Sequence, residues 1–97
     1  MLFVIEAWDK PAAADVRRAM RPAHLEYLRG LGHAVKIAGP LLDPSGERPI
    51  GSLLILEAAD RTDAERLLAT DPYARTGLFA RVEITPWKWV IGKPQAE

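Results

Sequence analysis

Few side chains in this sequence can do acid–base or nucleophilic chemistry, because it has two histidines and no cysteine. The lack of cysteine excludes thiolate nucleophiles, disulfides and thiolate metal sites. No His-x-x-x-His spacing or other closed ligand set is present, so we expect no structural metal and no metal-binding residues. No serine stands in a nucleophile elbow, which disfavours covalent catalysis. No glycine-rich phosphate cradle is present, which argues against nucleotide cofactors, and we expect no cofactor. Proton transfer by a histidine is the chemistry that is left.

His24 is the stronger candidate of the two histidines. It stands in the first turn of a predicted helical segment that Pro22 opens, where the helix N-terminus disfavours the imidazolium form. A neutral imidazole in that position can act as an acceptor or a base near neutral pH. The alternative is a partly buried histidine that satisfies a local hydrogen bond. His33 lies at a helix-to-strand turn, and we expect it to be exposed.

Three further polar residues have both a functional and a purely structural interpretation. Asp71 precedes Pro72, and an aspartate before a proline is a common way to begin a helix, so capping alone could explain it. Ser52 lies in a predicted strand beside Gly51, where a lone serine is usually solvated or bonded to backbone. Asp9 ends the first predicted strand, and we expect it to form a turn. None of the three marks a site on its own.

The elements that must position these residues alternate between strand and helix. Runs rich in apolar and β-forming residues predict strands over residues 2–8, 34–42, 50–58 and 78–91, the last bent at Pro86. Helical segments separate the first strand from the second and the third from the fourth. The order β-α-β-β-α-β predicts a ferredoxin-like α+β fold, a four-stranded antiparallel sheet with two helices on one face.

Proline and capping patterns set the expected helix boundaries. The first helical segment is predicted over residues 12–31, with a break or kink at Arg21 before Pro22. Its apolar stripe is predicted at Val16, Met20, Leu28 and Leu31. A capping-box pattern at residues 62–65 opens the second helix. Residues 71–73 begin a short helical turn that Gly77 closes.

The first strand is apolar on both faces, with Leu2 and Val4 on one and Phe3 and Ile5 on the other, and the third shows the same pattern. Two helices can cover only one face, whereas an antiparallel sheet with one wetted face normally alternates. An open apolar patch of this size is unusual on a monomer. The simplest cover is the same face of a second copy, so we expect a homodimer or a higher even oligomer.

Length and charge limit the class of protein. Ninety-seven residues make one domain, which we place over residues 1–97 with a loose C-terminal tail of about residues 93–97. Thirteen basic side chains balance thirteen acidic ones, which argues against nucleic acid or a membrane surface as a partner. No signal segment or apolar run of transmembrane length is found, so we expect a cytoplasmic protein.

A series of short motifs, each weak alone, runs along nearly the whole chain. They include Arg-Pro-Ala-His-Leu at residues 21–25, Ala-Gly-Pro-Leu at 38–41, Gly-Ser at 51–52 and Asp-Pro-Tyr at 71–73. In this order they resemble the YciI-like (YCII-related domain) family. The resemblance implies a dimeric α-β barrel in which two ferredoxin-like sheets face each other. It also implies a pocket with a catalytic His–Asp pair, here His24 and Asp71, and with Arg21 and Ser52 as substrate-binding residues.

Two functions from different classes stay open at this point. In the first, the protein is a cofactor-free enzyme of lyase or hydrolase type that transfers a proton or drives an elimination on a small hydroxylated aromatic or enolic compound. His24 would act as base or acid, Asp71 would orient it, and Arg21 would hold a carboxylate or phenolate of the substrate. In the second, the same pocket binds an unidentified small molecule without catalysis, as an accessory domain.

Overall fold

Strands and helices follow one another in the predicted order within residues 1–93, which the computed structural model describes. The strands are β1 (Leu2–Asp9), β2 (Val35–Leu42), β3 (Pro49–Glu57) and β4 (Phe79–Trp87). The helices are α1 (Ala14–Leu31), α2 (Arg61–Ala69) and the short α3 (Pro72–Arg75), and a 3-10 turn at Gly32–Ala34 joins α1 to β2. No helix in this described part has the length and apolar character needed to cross a membrane. The loose tail expected over about residues 93–97 lies, from residue 94 onward, outside the described residues.

The sheet is antiparallel throughout, with the strand order β2-β3-β1-β4. β1 and β3 are therefore the central strands, and β2 and β4 are the edges. Pro40 lies in β2 and Pro86 in β4, paired opposite Ser52 and Phe3. Proline cannot donate a backbone hydrogen bond, and edge strands tolerate it because one side of the strand needs no partner. With its helices on one face, the sheet confirms the ferredoxin-like α+β fold.

The hydrophobic core lies between the sheet and the helices. Its buried members are Phe3, Ile5, Leu54, Leu56, Ala58, Ala64, Leu68 and Ile84. They come from the central strands, from β4 and from α2 with the residues that precede it. Full burial of one large apolar side chain contributes about 1.5–3 kcal/mol. The edge strand β2 adds only the partly buried Val35 to this core.

The opposite face of the sheet carries apolar residues on its central strands, as predicted, although Glu6 of β1 and its neighbour Glu83 of β4 lie on the same face. Leu2, Val4 and Trp8 of β1 alternate with the core residues and are half-buried by their neighbours in the sheet. Val4 pairs directly with Ile55 of β3, so the two side chains share this face. No helix of residues 1–93 packs against it, because the helices lie on the core side.

α1 runs without interruption through Pro22, so of the predicted break or kink at Arg21 the break is wrong. A proline removes one helical hydrogen bond and crowds the carbonyl four residues earlier, but tertiary contacts on both sides of it can outweigh that cost. Arg17 and His24 flank Pro22, and both are buried. Val16 is 41% exposed and does not belong to the buried stripe of α1, whereas Leu28 and Leu31 of the predicted stripe pack against the core. The fully buried residues of α1 are the polar Arg17 and His24.

Two other predicted boundaries differ from the structure. α2 begins after Asp60, not at a capping box opened by Thr62, because the Asp60 carboxylate accepts the backbone N–H of Asp63 at 2.8 Å. The last strand ends at Trp87 and not at residue 91. Its partner β1 begins at Leu2, which pairs with Trp87, so the chain beyond that pair has no neighbouring strand to continue the ladder.

Candidate functional site

A cavity of about 460 Å³ lies between α1 and the edge strand β2. On the strand side it is lined by Ala38, Gly39 and Pro40, which are small and do not belong to the core. Arg48 and Pro49 extend this wall beyond the hairpin, and α1 and α3 supply the other walls. Since β2 contributes almost nothing to the core, the helix and the strand leave a space between them. A volume of this size suits a small molecule.

His24 and Asp71 meet at the wall of this cavity. The Nδ1 atom of His24 lies 2.9 Å from Oδ1 of Asp71, and both residues are buried. Asp71 is the N-cap of α3, where the same Oδ1 accepts the backbone N–H of Tyr73 at 2.9 Å. Its Oδ2 is buried without a hydrogen-bond partner among the described residues. Because Asp71 engages Nδ1, Nε2 is the ring nitrogen of His24 that is left to meet a ligand.

Tyr73 fixes the plane of the histidine ring. The two rings are stacked, with centroids 4.0 Å apart and planes inclined by 14°. The guanidinium carbon of Arg17 lies 4.5 Å from the centre of the Tyr73 ring. Burial raises the pKa of the Tyr73 phenol, and the charges of Arg17 and Arg21 partly oppose that rise. The tyrosine therefore links the His–Asp pair to two arginines of α1.

Arg17 is the member of the site that the sequence analysis missed. Its Nε and Nη2 donate to the two carboxylate oxygens of Asp9 at 2.7 and 2.9 Å, and Nη2 also donates to Oγ of Ser52 at 2.8 Å. Burial alone would lower the pKa of Arg17, but the hydrogen bond and charge of Asp9 outweigh it and raise the pKa. A helical stripe could have revealed this residue, because Arg17, Arg21 and His24 are spaced i, i+4 and i+7.

Four arginines line the cavity beside its apolar residues. Arg17, Arg18, Arg21 and Arg48 line it, and no carboxylate does. Arg18 pairs with Asp15 outside the cavity, and Arg21 makes no ion pair within residues 1–93. Arg17 pairs with Asp9 and Arg48 lies 4.0 Å from Asp43, so Arg21 is the lining guanidinium without an acidic partner in the described residues, and its charge favours an anionic ligand.

The structure places some of the predicted site residues at the cavity and others away from it. His24 and Arg21 line the cavity, and Asp71 stands directly behind His24. Ser52 is buried and does not line the cavity, since its hydroxyl accepts a hydrogen bond from Arg17 and its position is behind that residue. His33 is exposed on the 3-10 turn, as expected. In the described residues, no group of three or more His, Asp or Glu side chains could hold a metal ion.

Fold and site together define a small ferredoxin-like domain with a buried His–Asp pair at a cationic cavity. The profile of the YCII-related domain matches residues 1–88. Protein YciI from Escherichia coli O6:H1 is 34% identical over 98 residues, which cover 94% of this chain and 100% of that protein. The chain therefore belongs to the YCII-related domain family.

Solved structures similar to this chain include the following two. One is the 5-chloro-2-hydroxyhydroquinone dehydrochlorinase TftG from Burkholderia phenoliruptrix AC1100, in complex with 2,5-dihydroxybenzoquinone. It has a TM-score of 0.83 and 34% sequence identity, covering 91% of this chain and 94% of that chain. The other is an antibiotic biosynthesis monooxygenase with a TM-score of 0.57 and 21% identity, covering 93% of this chain and 99% of that chain. The second likeness concerns the fold alone.

Proposed function

We propose that this protein is a cofactor-free enzyme that transfers a proton, or drives an elimination, on a small hydroxylated aromatic or enolic compound. The observation that carries the proposal is the buried contact of 2.9 Å between His24 Nδ1 and Asp71 Oδ1, at a cavity large enough for such a molecule. The dehydrochlorinase of 34% identity, with a dihydroxybenzoquinone bound, supports a small oxygenated ring as the ligand.

His24 would act as the general base and Asp71 as its positioning residue. A carboxylate that accepts a hydrogen bond from the Nδ1–H group holds the imidazole in the tautomer whose Nε2 carries a free lone pair. The stacked Tyr73 restricts rotation of the ring, and the Tyr73 backbone N–H fixes the carboxylate in turn. A positioned general base typically accelerates proton transfer by about 10²–10⁴-fold.

An elimination at this site needs no oxidant or reductant. The proton passes from the substrate to Nε2 of His24, and the electron pair that it leaves forms a new π bond. The leaving group departs with its own electron pair as an anion. The guanidinium groups of Arg17 and Arg21 would stabilise the negative charge that develops on the substrate oxygen, as preorganised donors do in other enzymes.

The test combines two variants of the pair with a matched histidine control. Deuterium exchange into 2-hydroxyhydroquinone and chloride release from 5-chloro-2-hydroxyhydroquinone are measured under anaerobic conditions. His24→Gln and Asp71→Asn should each lower the rates by about 10²-fold or more, because the base or its tautomer is lost. His33→Gln, at the exposed histidine, should leave them unchanged.

The outcomes separate the two functions that the sequence leaves open. If the wild-type protein binds these compounds but accelerates neither reaction, the pocket is a binding site without catalysis. Equal rates for Asp71→Asn and the wild type would reduce Asp71 to a helix cap, since asparagine caps about as well as aspartate.

We also propose that a second copy of the chain covers the open face of the sheet. Leu2, Val4, Trp8 and Ile55 supply an apolar surface that no helix of the described residues covers. Burying such a face against its own copy is a closed two-fold contact. Light scattering should give about twice the chain mass of 10.7 kDa.

A pair of valine variants tests this interface. Val4→Arg places a charge on the open face and should produce a monomer, because an unpaired buried charge is costly. Val16→Arg places the same charge on the exposed side of α1 and should leave the dimer intact. A wild-type protein that stays monomeric at micromolar concentration would contradict the proposal.

A further inference from the structure

The polarity of the cavity wall changes along α1. The α1 residues that line it from the N-terminal side are Ala14 and the three arginines Arg17, Arg18 and Arg21, and those on the C-terminal side are Leu25 and Leu28. His24 lies between the two groups. With a helical rise of 1.5 Å per residue, the distance along the helix from Arg17 to Leu28 is about 16 Å. The cavity therefore has a cationic end and an apolar end, separated by the candidate base.

The cationic end is a preformed anion site. Arg17 is only 7% exposed and is held by Asp9 and Ser52, which together use three of its five N–H donors. The two donors on Nη1 are not bonded to Asp9 or Ser52. Arg21 lines the same cavity and makes no ion pair there. A planar oxygen anion such as a carboxylate or enolate matches two such guanidinium groups.

The side chains that line the apolar end carry no polar group that a ligand would have to hydrogen-bond. Leu25 and Leu28 are half-buried on α1, and Ala38 and Pro40 add apolar surface from β2. Leu25 does not belong to the hydrophobic core of the domain. Its exposed surface is therefore available to a ligand, and burying apolar surface there would favour binding.

We propose that the cavity selects an amphipathic small acid. Its planar oxygen anion binds at Arg17 and Arg21, its apolar substituent packs against Leu25 and Leu28, and the atom that loses a proton lies between them beside Nε2 of His24. The placement of the reacting atom rests on the function proposed above. The polarity of the ligand does not, because it depends on the cavity walls alone.

Three probes and isothermal titration calorimetry of the whole protein test this selection. The probes are benzoate, 4-butylbenzoate and 4-butylbenzyl alcohol. We expect 4-butylbenzoate to bind at least about tenfold more tightly than benzoate, the effect of burying about two methylene groups. It should also bind at least about tenfold more tightly than the neutral alcohol, because charge-assisted hydrogen bonds are the strong ones.

Variants assign the two ends. Arg21→Gln should weaken both acids several-fold and leave the alcohol unchanged, whereas Leu25→Ser should abolish the advantage of the butyl group and leave benzoate unchanged. Arg29→Gln is the matched control, since Arg29 is an exposed arginine of α1 that pairs with Glu26 and does not line the cavity. Its affinities should equal those of the wild type.

Several results would overturn the proposal. They are equal affinity for benzoate and 4-butylbenzoate, equal affinity for the acid and the alcohol, and no binding of any probe at millimolar concentration. The His24→Gln variant keeps this test separate from that of the proposed function. It should bind 4-butylbenzoate as the wild type does even though proton transfer is lost. Probe binding without any proton transfer by the wild type would contradict the proposed function only.

Discussion

The two long helices cover the same face of one sheet in different ways. α2 buries Ala64 and Leu68 against the apolar residues of the central strands and belongs to the hydrophobic core. α1 buries Arg17 and His24, and between it and β2 lies the cavity. The α2 half of the helix layer thus supplies fully buried apolar residues, whereas the α1 half adds the partly buried Leu28 and Leu31 to the core and holds a polar site together by hydrogen bonds. A domain of this size can support such a site because a packed core stands beside it.

The sequence of the strands explains the difference. The central strands present large side chains such as Phe3 and Leu56 to the helices, whereas β2 presents Ala38 and Pro40 in the region of the cavity. Small residues at the edge leave space that neither α1 nor its side chains fill. In that space polar groups are stable because they are paired, as Arg17 is with Asp9.

The largest effect on the free energy of unfolding should come from a substitution in the hydrophobic core, which α2 covers. Leu56 is fully buried, and Leu56→Ala should lower the free energy of unfolding by about 3–5 kcal/mol, because it removes apolar contacts and leaves a void. Urea denaturation at a fixed protein concentration measures the loss. Binding of 4-butylbenzoate to the folded variant should be unchanged. A loss of less than about 1 kcal/mol would contradict this expectation.

A polar substitution in the α1 half should be nearly as costly. Asp9→Ala leaves the Arg17 guanidinium buried without its partner, and we expect a loss of about 3 kcal/mol in the free energy of unfolding. It should also weaken the binding of acids, since Arg17 is no longer held. Asp15→Ala breaks the exposed pair with Arg18 and should cost no more than about 0.5 kcal/mol. If the two variants lost the same free energy of unfolding, the buried pair between Asp9 and Arg17 would have no special role in stability.

A cap in the α2 half should matter for stability alone. Asp60→Ala removes the acceptor of the Asp63 backbone N–H and should cost about 1 kcal/mol by thermal or urea unfolding. Asp60→Asn should be nearly silent, and neither variant should change the rate of proton transfer. The cap of α3 differs, because Asp71→Asn should spare stability and lower that rate. If both asparagine variants kept full activity, the distinction between the two caps would fail.

The smallest expected effect is on the melting temperature at high pH, to which the polar site beside α1 should contribute and the core beneath α2 should not. Burial raises the pKa of Tyr73 above its ordinary value of 10.0 in the folded protein. Its neutral phenol therefore contributes stability that is complete below about pH 10 and is lost as the pH rises through the folded-state pKa. Melting temperatures between pH 8 and 11 should fall more steeply for the wild type than for Tyr73→Phe. Parallel curves would contradict this, and the core beneath α2 has no titratable group to produce it.

The order of elements, the sheet and its two apolar faces could be predicted from the sequence, because alternation and turn residues report on local structure. The approach of His24 to Asp71 was suggested by family resemblance, since no local rule brings residues 47 positions apart together. Arg17 was missed because the search on α1 was for an apolar stripe. Its burial depends on Asp9 and Ser52 from other elements, which only the tertiary fold supplies.

The two wrong helix predictions have similar causes. Pro22 argues for a break on local grounds, but the buried residues on either side of it belong to one continuous helix. The capping pattern at Thr62 fits the sequence, and so does an aspartate two residues earlier. Local preference does not decide between them, and the structure selects Asp60.

Asp71 serves two purposes with a single oxygen atom, and this limits how its codon can change during evolution. Asparagine, serine or threonine at this position would keep the start of α3 but carry no charge to His24. Glutamate would keep the charge but is a poor cap. In a duplicated gene that is no longer selected for the proposed activity, position 71 would therefore change first to asparagine, serine or threonine, and the fold would be kept. If the proposed reaction holds, the residue at this one position would separate descendants that retain it from those that retain only the fold.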